Sequence, residues 1–121
     1  MNTGKTCRRR GHSYERKIVK ELKKITGNDN IKTSRAESKT LDDAKIDIAD
    51  VDNVLPCFFQ LKSTQNIPNI KGINEQVGIK TKPLCILWNA QEKRQERQVS
   101  AGEYAIIPKD FFYTLLKKYY E

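Results

Sequence analysis

Apolar residues at helical spacing predict a helix near each end of the chain and a weaker one between them. The first helix follows Ser13, a favourable N-cap, and stops at Gly27. The weaker pattern covers residues 70–79. The two terminal helices are therefore expected to be amphipathic. Their apolar stripes are Tyr14, Ile18, Val19, Leu22 and Ile25 in the first, and Phe111, Phe112, Leu115, Leu116 and Tyr119 in the last.

Alternating and continuous apolar runs predict the strands. The stretch from Lys45 to Gln65 alternates on both sides of the turn Asp52-Asn53, which is typical of a β-hairpin. Residues 83–88 form a near-continuous apolar run, as expected for a strand buried on both faces. Further short strands are predicted at residues 31–35 and 103–107, and polar loops at residues 36–44, 65–69 and 91–98.

The order helix, strand, hairpin, helix, strand, strand, helix predicts one α/β domain over residues 1–121, with a central mixed sheet flanked by helices. Residues 1–12 precede the first helix and are predicted to form a flexible basic arm, or else an arm that contacts phosphates. No apolar run is long enough to span a bilayer, and no signal-peptide core follows the basic N-terminus. The sequence therefore favours an intracellular, cytoplasmic protein without a membrane partner.

The net charge limits the classes of binding partner that we expect for this protein. The formal net charge is +8, from 23 Lys and Arg against 15 Asp and Glu, and such an excess favours a polyanion. Aromatic residues make up only 8% and do not interleave with the basic ones, which argues against a platform that stacks single-stranded bases. The candidate DNA-binding residues are Arg8, Arg9, Arg10, Arg35, Lys39, Lys93 and Arg94, with Arg97 in the same predicted loop as the last two.

The cysteines do not predict a disulfide framework or a zinc site. They are odd in number and widely spaced, at positions 7, 57 and 85. Cys57 and Cys85 lie in predicted strands and are expected to be small core residues. Cys7 and His12 could supply two zinc ligands, but two ligands do not make a site.

The predicted hairpin carries polar side chains that a core strand would not contain without a reason. Gln60 and Lys62 flank Leu61, so they project from one face of the strand about 7 Å apart. The Asp47 carboxylate, the Gln60 amide oxygen and the Leu61 carbonyl are ligands that suit Mg²⁺. Glu15, in the first helix, could complete the coordination shell, although a structural role at the helix start is also open. Lys62 could orient or deprotonate a water, or stabilise phosphate charge.

These residues carry a resemblance to a known family. Asp47, followed after 12 residues by Gln60-Leu61-Lys62, resembles the signature of the PD-(D/E)XK nuclease superfamily. The segment RGHSYERKIVKEL at residues 10–22 is similar to the N-terminal helix of archaeal-type Holliday-junction resolvases. Residues 31–35 and 83–90 resemble strands of the same proteins, so the resemblance covers roughly residues 9–90.

The resemblance implies a restriction-endonuclease-like core, αβββαβ, followed by a C-terminal strand and helix. It implies that Glu15, Asp47, Gln60 and Lys62 are the catalytic set, with the metal held by Asp47, Gln60, Glu15 and the Leu61 backbone carbonyl. Ser34, next to Arg35, falls where the resolvases carry a small polar residue and is a further catalytic candidate.

Two positions depart from the family pattern. Lys45-Ile46 precedes Asp47 where a Pro is common, and Gln60 replaces an acidic residue, which removes one negative charge from the metal site.

The implied function is a Mg²⁺-dependent endonuclease, with Mn²⁺ able to substitute, that resolves four-way DNA junctions in recombination and repair. Such enzymes are homodimers, since a four-way junction offers two symmetric scissile sites. The aromatic residues of the last helix are our candidate dimer contact. Two alternatives remain open: a related nuclease acting on other DNA in replication, repair or packaging, and a nucleic-acid-binding module without catalytic activity.

Overall fold

The computed structural model describes residues 3–121, with side chains from Arg9 onward. The described residues form five helices and five strands. The helices are α1 (Thr3–Thr26), α2 (Ser34–Glu37), α3 (Lys39–Asp43), α4 (Ile70–Gln76) and α5 (Lys109–Tyr119). The strands are β1 (Ile31–Thr33), β2 (Ile48–Asp50), β3 (Phe58–Thr64), β4 (Leu84–Arg94) and β5 (Arg97–Ile106).

Helix α1 is longer than predicted. It begins at Thr3, so the prediction that Ser13 is its N-cap is wrong, and residues 3–12 are helical. No proline interrupts this stretch. Of its two glycines, Gly4 is in the first turn, and Gly11 in the interior costs only about 1 kcal/mol relative to alanine. The predicted stop is confirmed: Gly27 has a positive φ of 70°, and its N–H donates to the Lys23 carbonyl at 2.8 Å. Whether the basic segment is flexible stays a prediction, and residues 1–2 lie outside the described residues.

The predicted loop at residues 36–44 is wrong, since α2 and α3 occupy it. Two hydroxyl caps explain this. The Thr33 hydroxyl accepts a hydrogen bond from the Ala36 N–H at 3.4 Å, which starts α2 and ends β1 two residues before its predicted end. The Ser38 hydroxyl accepts from the Leu41 N–H at 3.2 Å and starts α3. Each cap satisfies a backbone donor that the start of a helix would otherwise leave free.

The predicted hairpin of β2 and β3 is also wrong. Strand β2 pairs with β1, antiparallel, in a small two-stranded sheet, and β3 belongs to a second sheet of order β3-β4-β5. The Asp50 carboxylate accepts hydrogen bonds from the N–H groups of Val54 and Leu55, at 2.9 and 2.7 Å. These bonds fold the chain after β2 into a longer connection, so a tight two-residue hairpin does not form. A turn does occur near the predicted position, because the Asn53 N–H donates to the Asp50 carbonyl at 3.1 Å.

The three-stranded sheet confirms the α/β class. Strands β3 and β4 are parallel and β4 and β5 antiparallel, so the sheet is mixed. Two apolar clusters lie on its two faces, and Cys57 and Cys85 are buried core residues, as predicted. One cluster joins α1 and α5 to the sheet through Tyr14, Ile18, Leu22, Phe59, Cys85 and Phe111, among others. The second cluster comprises Ala44, Ile46, Val77, Leu84 and Ile86, with Leu41 and Ile73 against it.

The helices and strands of the C-terminal half occur in the predicted order, but their lengths differ from the predicted ones. Helix α4 is confirmed but ends at Gln76, and β4 is confirmed but runs on to Arg94. The predicted loop at residues 91–98 is therefore wrong: strand β5 starts at Arg97, and only Gln95-Glu96 forms the tip. Helix α5 is confirmed, although Phe111 is its only buried residue. None of the helices within residues 3–121 has both the length and the apolar character needed to cross a membrane.

Candidate functional site

The end of α3 fixes the chain that leads into Asp47. Lys45 adopts a positive φ of 65°, its N–H donates to the Asp42 carbonyl at 3.1 Å, and the Ile46 N–H donates to the Leu41 carbonyl at 3.0 Å. This pair of bonds is a complete Schellman motif, and the Leu41–Ile46 contact supplies the apolar pair that accompanies it. Because Ile46 is fully buried, the backbone enters the site at a defined place.

Asp47 lies against the open edge of β3 and is held there by three hydrogen bonds. Its N–H donates to the Phe59 carbonyl at 2.8 Å, and its own carbonyl accepts from the Ser34 N–H at 2.9 Å. Its side-chain Oδ2 accepts from the Leu61 N–H at 2.8 Å. The N–H and C=O of one strand residue point to the same edge, so the Leu61 carbonyl faces this edge as well. The carboxylate and that carbonyl are thus presented side by side.

Gln60 and Ser34 bring two buried polar atoms to this region. Gln60 is 9% exposed and Ser34 is fully buried. Neither Gln60 Oε1 nor Ser34 Oγ has a hydrogen-bond partner within the described residues. Buried polar atoms are normally paired, so each of these oxygens is a candidate partner for a bound ion or water. Lys62, partly exposed, lines an open pocket of about 430 Å³ formed with residues 64–69 and Ile73.

Glu15 reaches the site from α1 and is paired with Arg35. The Glu15 Oε2 and Arg35 guanidinium atoms are 3.1 Å apart, and the two side chains are 17% and 44% exposed. Arg35, predicted to contact DNA, therefore neutralises a carboxylate at the site in the protein alone. The Glu15 charge is still close enough to Asp47 to act on its ionisation.

Burial raises the pKa of Asp47 to about 6. The hydrogen bond from the Leu61 N–H opposes this rise, since it favours the ionised form. The charge of Glu15 raises the pKa further, Lys62 lowers it, and Asp42 adds a smaller increase. The Leu61 hydrogen bond and the charge of Lys62 therefore offset only part of the cost of burying the ionised carboxylate. A bound cation would stabilise the ionised form further. Sequence reasoning missed Asp42, because its proximity depends on α3, which the sequence did not predict.

The oxygen donors at this edge suit a hard divalent cation. Mg²⁺ commonly keeps several waters and binds one or two carboxylates together with substrate phosphate. Asp47, the Gln60 amide oxygen and the Leu61 carbonyl offer such a set, and Glu15 lies in the neighbouring helix. Within the described part of the chain, no group of three or more His, Cys, Asp and Glu side chains could hold a metal ion. The donor set thus depends on neutral oxygens and few carboxylates.

Comparison with known proteins does not place this site in a family. No family model, no curated protein and no solved structure matches the chain significantly. The interpretation of the site therefore depends on its own chemistry.

The remaining predicted DNA-binding residues are dispersed over the molecule. Arg9 and Arg10 lie on α1, and the side chain of Arg8 falls outside the described ones, as does that of Cys7. Lys39 on α3 is exposed and 3.6 Å from Asp43. Lys93 and Arg94 lie far from Asp47 along β4, and their charged atoms are 3.6 and 3.1 Å from Glu96 and Glu92.

Proposed function

We propose that this protein is a metal-dependent endonuclease that hydrolyses DNA phosphodiesters, with the four-way junction as its substrate. The observation that carries the proposal is the contact of Asp47 Oδ2 with the Leu61 N–H, because it sets a carboxylate beside the strand that bears Gln60 and Lys62. A carboxyl group with a raised pKa lies against a strand that carries a buried, unpaired amide oxygen, and such costly groups are typical of functional sites. These residues are also the ones that resemble the PD-(D/E)XK signature, which supports a restriction-endonuclease-like core.

Each residue has a chemical role in this proposal. Asp47, Gln60 Oε1 and the Leu61 carbonyl would hold Mg²⁺ or Mn²⁺, which would supply Lewis-acid chemistry at the phosphate. Lys62, on the same strand face as Gln60, orients the attacking water or stabilises charge that develops on the phosphate. Glu15 would accept hydrogen bonds from water at the metal, and Arg35, its present partner at 3.1 Å, would then be available to bind a phosphate.

Charge and surface support the proposed substrate and assembly. The net charge of +8 favours a polyanion, and DNA binding of this kind releases counterions. A homodimer would supply two active sites for the two symmetric strands of a junction. Helix α5 offers an apolar surface for such a dimer, since only Phe111 of its aromatic and aliphatic residues is buried. Its exposed residues are Phe112, Tyr113, Leu115, Leu116, Tyr119 and the following Tyr120.

The test is cleavage of a labelled four-way junction and of a linear duplex of the same sequence, each with Mg²⁺ and with EDTA. We expect Mg²⁺-dependent cleavage of the junction, lost in Asp47→Asn while junction binding in EDTA is retained. Asp43→Asn is the matched control, since it removes an exposed carboxylate from the adjacent helix and should cleave at the wild-type rate. Binding without cleavage under any divalent metal would refute the endonuclease and favour a binding module. Cleavage of the duplex at the same rate would refute the preference for branched DNA.

A further inference from the structure

Strands β4 and β5 continue well beyond the sheet that contains the site. Strand β3 pairs with β4 as far as Thr64 opposite Ala90. After a register shift between Asn89 and Gln91, β4 and β5 continue alone for four more pairs, ending with Arg94 opposite Arg97. Residues 91–100, here called the ribbon, thus form a two-stranded projection.

The ribbon extends from the end of the sheet nearest Lys62. Lys62 lies opposite Trp88 in the parallel pair of β3 and β4, and Arg94 follows six positions later on β4. At about 3.4 Å per residue, the tip lies roughly 20 Å beyond Lys62. The ribbon thus projects from the same end of the sheet as Lys62, in the direction in which β4 continues past the site.

The tip departs from two local rules of hairpin structure. Gln95 and Glu96 both have positive φ angles, 47° and 67°, at turn positions that favour Asn and Gly. Arg94 and Arg97 lie directly opposite each other, and facing like charges destabilise a strand pair. Glu92 is 3.1 Å from Arg94, whereas Arg97 has no ion pair within the described residues. Local conflicts of this kind concentrate at functional positions, and an anion between the two guanidinium groups would remove the repulsion.

We propose that the ribbon lies in the major groove of the duplex arm next to the scissile phosphate, with Arg94 and Arg97 together binding one backbone phosphate. This inference rests on the proposed function, which it extends by assigning a second DNA contact. The major groove is about 12 Å wide and admits a two-stranded ribbon. The joint site for one phosphate uses the facing pair of Arg94 and Arg97, of which only Arg94 has an ion-pair partner within the described residues.

The surface of the ribbon fits DNA better than a protein partner. Residues 92–97 are all exposed and all charged or amide-bearing. Val99 is the one aliphatic or aromatic residue of the ten, whereas the centre of a protein interface is enriched in aromatic residues and methionine. The exposed amide of Gln95 and the guanidinium groups of the arginines are groups that groove-binding proteins use.

The first experiment measures junction binding in EDTA against salt concentration, so that cleavage plays no part. The double variant Arg94→Gln/Arg97→Gln removes both guanidinium groups from the tip. We expect the slope of log affinity against log salt to fall by about 0.9, which is the loss of one phosphate contact. The control is Lys20→Gln/Lys24→Gln, which changes the net charge equally at exposed positions of α1 and should leave the slope unchanged.

The second experiment locates the contact. Methylation of guanine N7 by dimethyl sulfate reports access to the major groove. Because the tip lies roughly 20 Å beyond Lys62, the wild-type protein should protect guanines at about that distance from the cleaved phosphate. A shortened ribbon, in which Asn-Gly replaces residues 93–98 between Glu92 and Val99, should lose that protection.

The outcomes separate this inference from the proposed function. A wild-type slope in the double arginine variant, or an equal loss in the lysine control, overturns the ribbon contact and leaves the endonuclease standing. Protection that persists in the shortened ribbon overturns it as well. Ribbon-dependent binding and protection by a protein that never cleaves would overturn the endonuclease and support the ribbon. Absence of DNA binding by the wild-type protein would overturn both.

Discussion

Because Asp47 is largely buried, we expect its ionised carboxylate to destabilise the folded protein at neutral pH. Burial raises its pKa from 3.8 to about 6, so between these values the native state binds more protons than the unfolded state. Stability contributed by this group therefore falls as pH rises through this window, and the loss is complete above pH 6. At about 1.4 kcal/mol for each pKa unit, the loss is on the order of 3 kcal/mol, a large share of a typical domain stability.

Asp47→Asn should therefore increase the free energy of unfolding at pH 7. In the wild-type protein the Leu61 N–H donates to Asp47 Oδ2 at 2.8 Å. The asparagine oxygen can still accept this hydrogen bond, so the geometry at the strand edge should be retained. The pKa of about 6 already includes the charge assistance of this bond, so the remaining cost is the new amide N–H₂, which needs a partner and offsets about 1–2 kcal/mol. We expect a net gain of about 1–2 kcal/mol at pH 7. At pH 4 the gain should vanish, because the native wild-type carboxyl is then protonated.

Urea unfolding of the metal-free proteins at pH 4, 5, 6 and 7 measures this effect. The informative quantity is the difference between variant and wild type at each pH, since other groups titrate equally in both. Asp43→Asn should show no such pH-dependent gain, because its carboxylate is exposed. If Asp47→Asn is less stable than the wild type at pH 7, or if the difference does not change with pH, the electrostatic account of the site is wrong.

Three further predictions concern the same site and the α5 surface. Lys62→Ala should reduce cleavage by about 10²-fold or more while junction binding in EDTA is unchanged, as single-turnover rates would show. Gln60→Glu should lower the Mg²⁺ midpoint for cleavage at fixed ionic strength; an unmoved midpoint would remove Gln60 from the coordination shell. Phe112→Ser with Tyr119→Ser should convert a dimer to a monomer by light scattering, and a monomeric wild-type protein would contradict the α5 interface.

Elements defined by local signals could be predicted from the sequence. Gly27 ends α1 because it adopts a left-handed conformation with little cost, and that preference is visible in one residue. Strand β4 was predictable because its apolar run is buried on both faces of a sheet. Helix α5 was predictable from its spacing, although its stripe is mostly exposed, so periodicity revealed the helix but not its partner.

Elements that depend on pairing with a distant strand, or on a single capping hydrogen bond, could not be predicted. An alternating pattern does not state which strand a segment pairs with, so β2 was assigned to β3 when it pairs with β1. Helices α2 and α3 are four and five residues long, too short for a helical period, and depend on their hydroxyl caps. The charged tip of the ribbon has the composition of a loop, and the backbone pairing that makes it a ribbon leaves little trace in composition.

The candidate site was partly predictable for the same reasons. Period-two alternation was enough to place Gln60 and Lys62 on one strand face. The approach of Asp47 was anticipated through a hairpin that does not exist; it occurs instead through the end of α3 and a bond to the neighbouring strand edge. The pairing of Glu15 with Arg35 joins residues on two separate elements, and no local pattern encodes it.

The electrostatics of the site offer a reason for glutamine at position 60. The charges of Glu15 and Asp42 already raise the pKa of Asp47, and Gln60 is only 9% exposed. A glutamate in its place would bury a second carboxylate on the strand against which Asp47 lies, and the two would disfavour each other's ionised form until one bound a proton. The metal-free protein would then lose stability at neutral pH, while a bound cation would regain it. Glutamine therefore favours a stable protein without metal and reduces metal affinity, so Gln60→Glu should be less stable than the wild type in EDTA and more strongly stabilised by Mg²⁺. A Gln60→Glu protein as stable as the wild type in EDTA would show that position 60 does not share the electrostatic environment of Asp47.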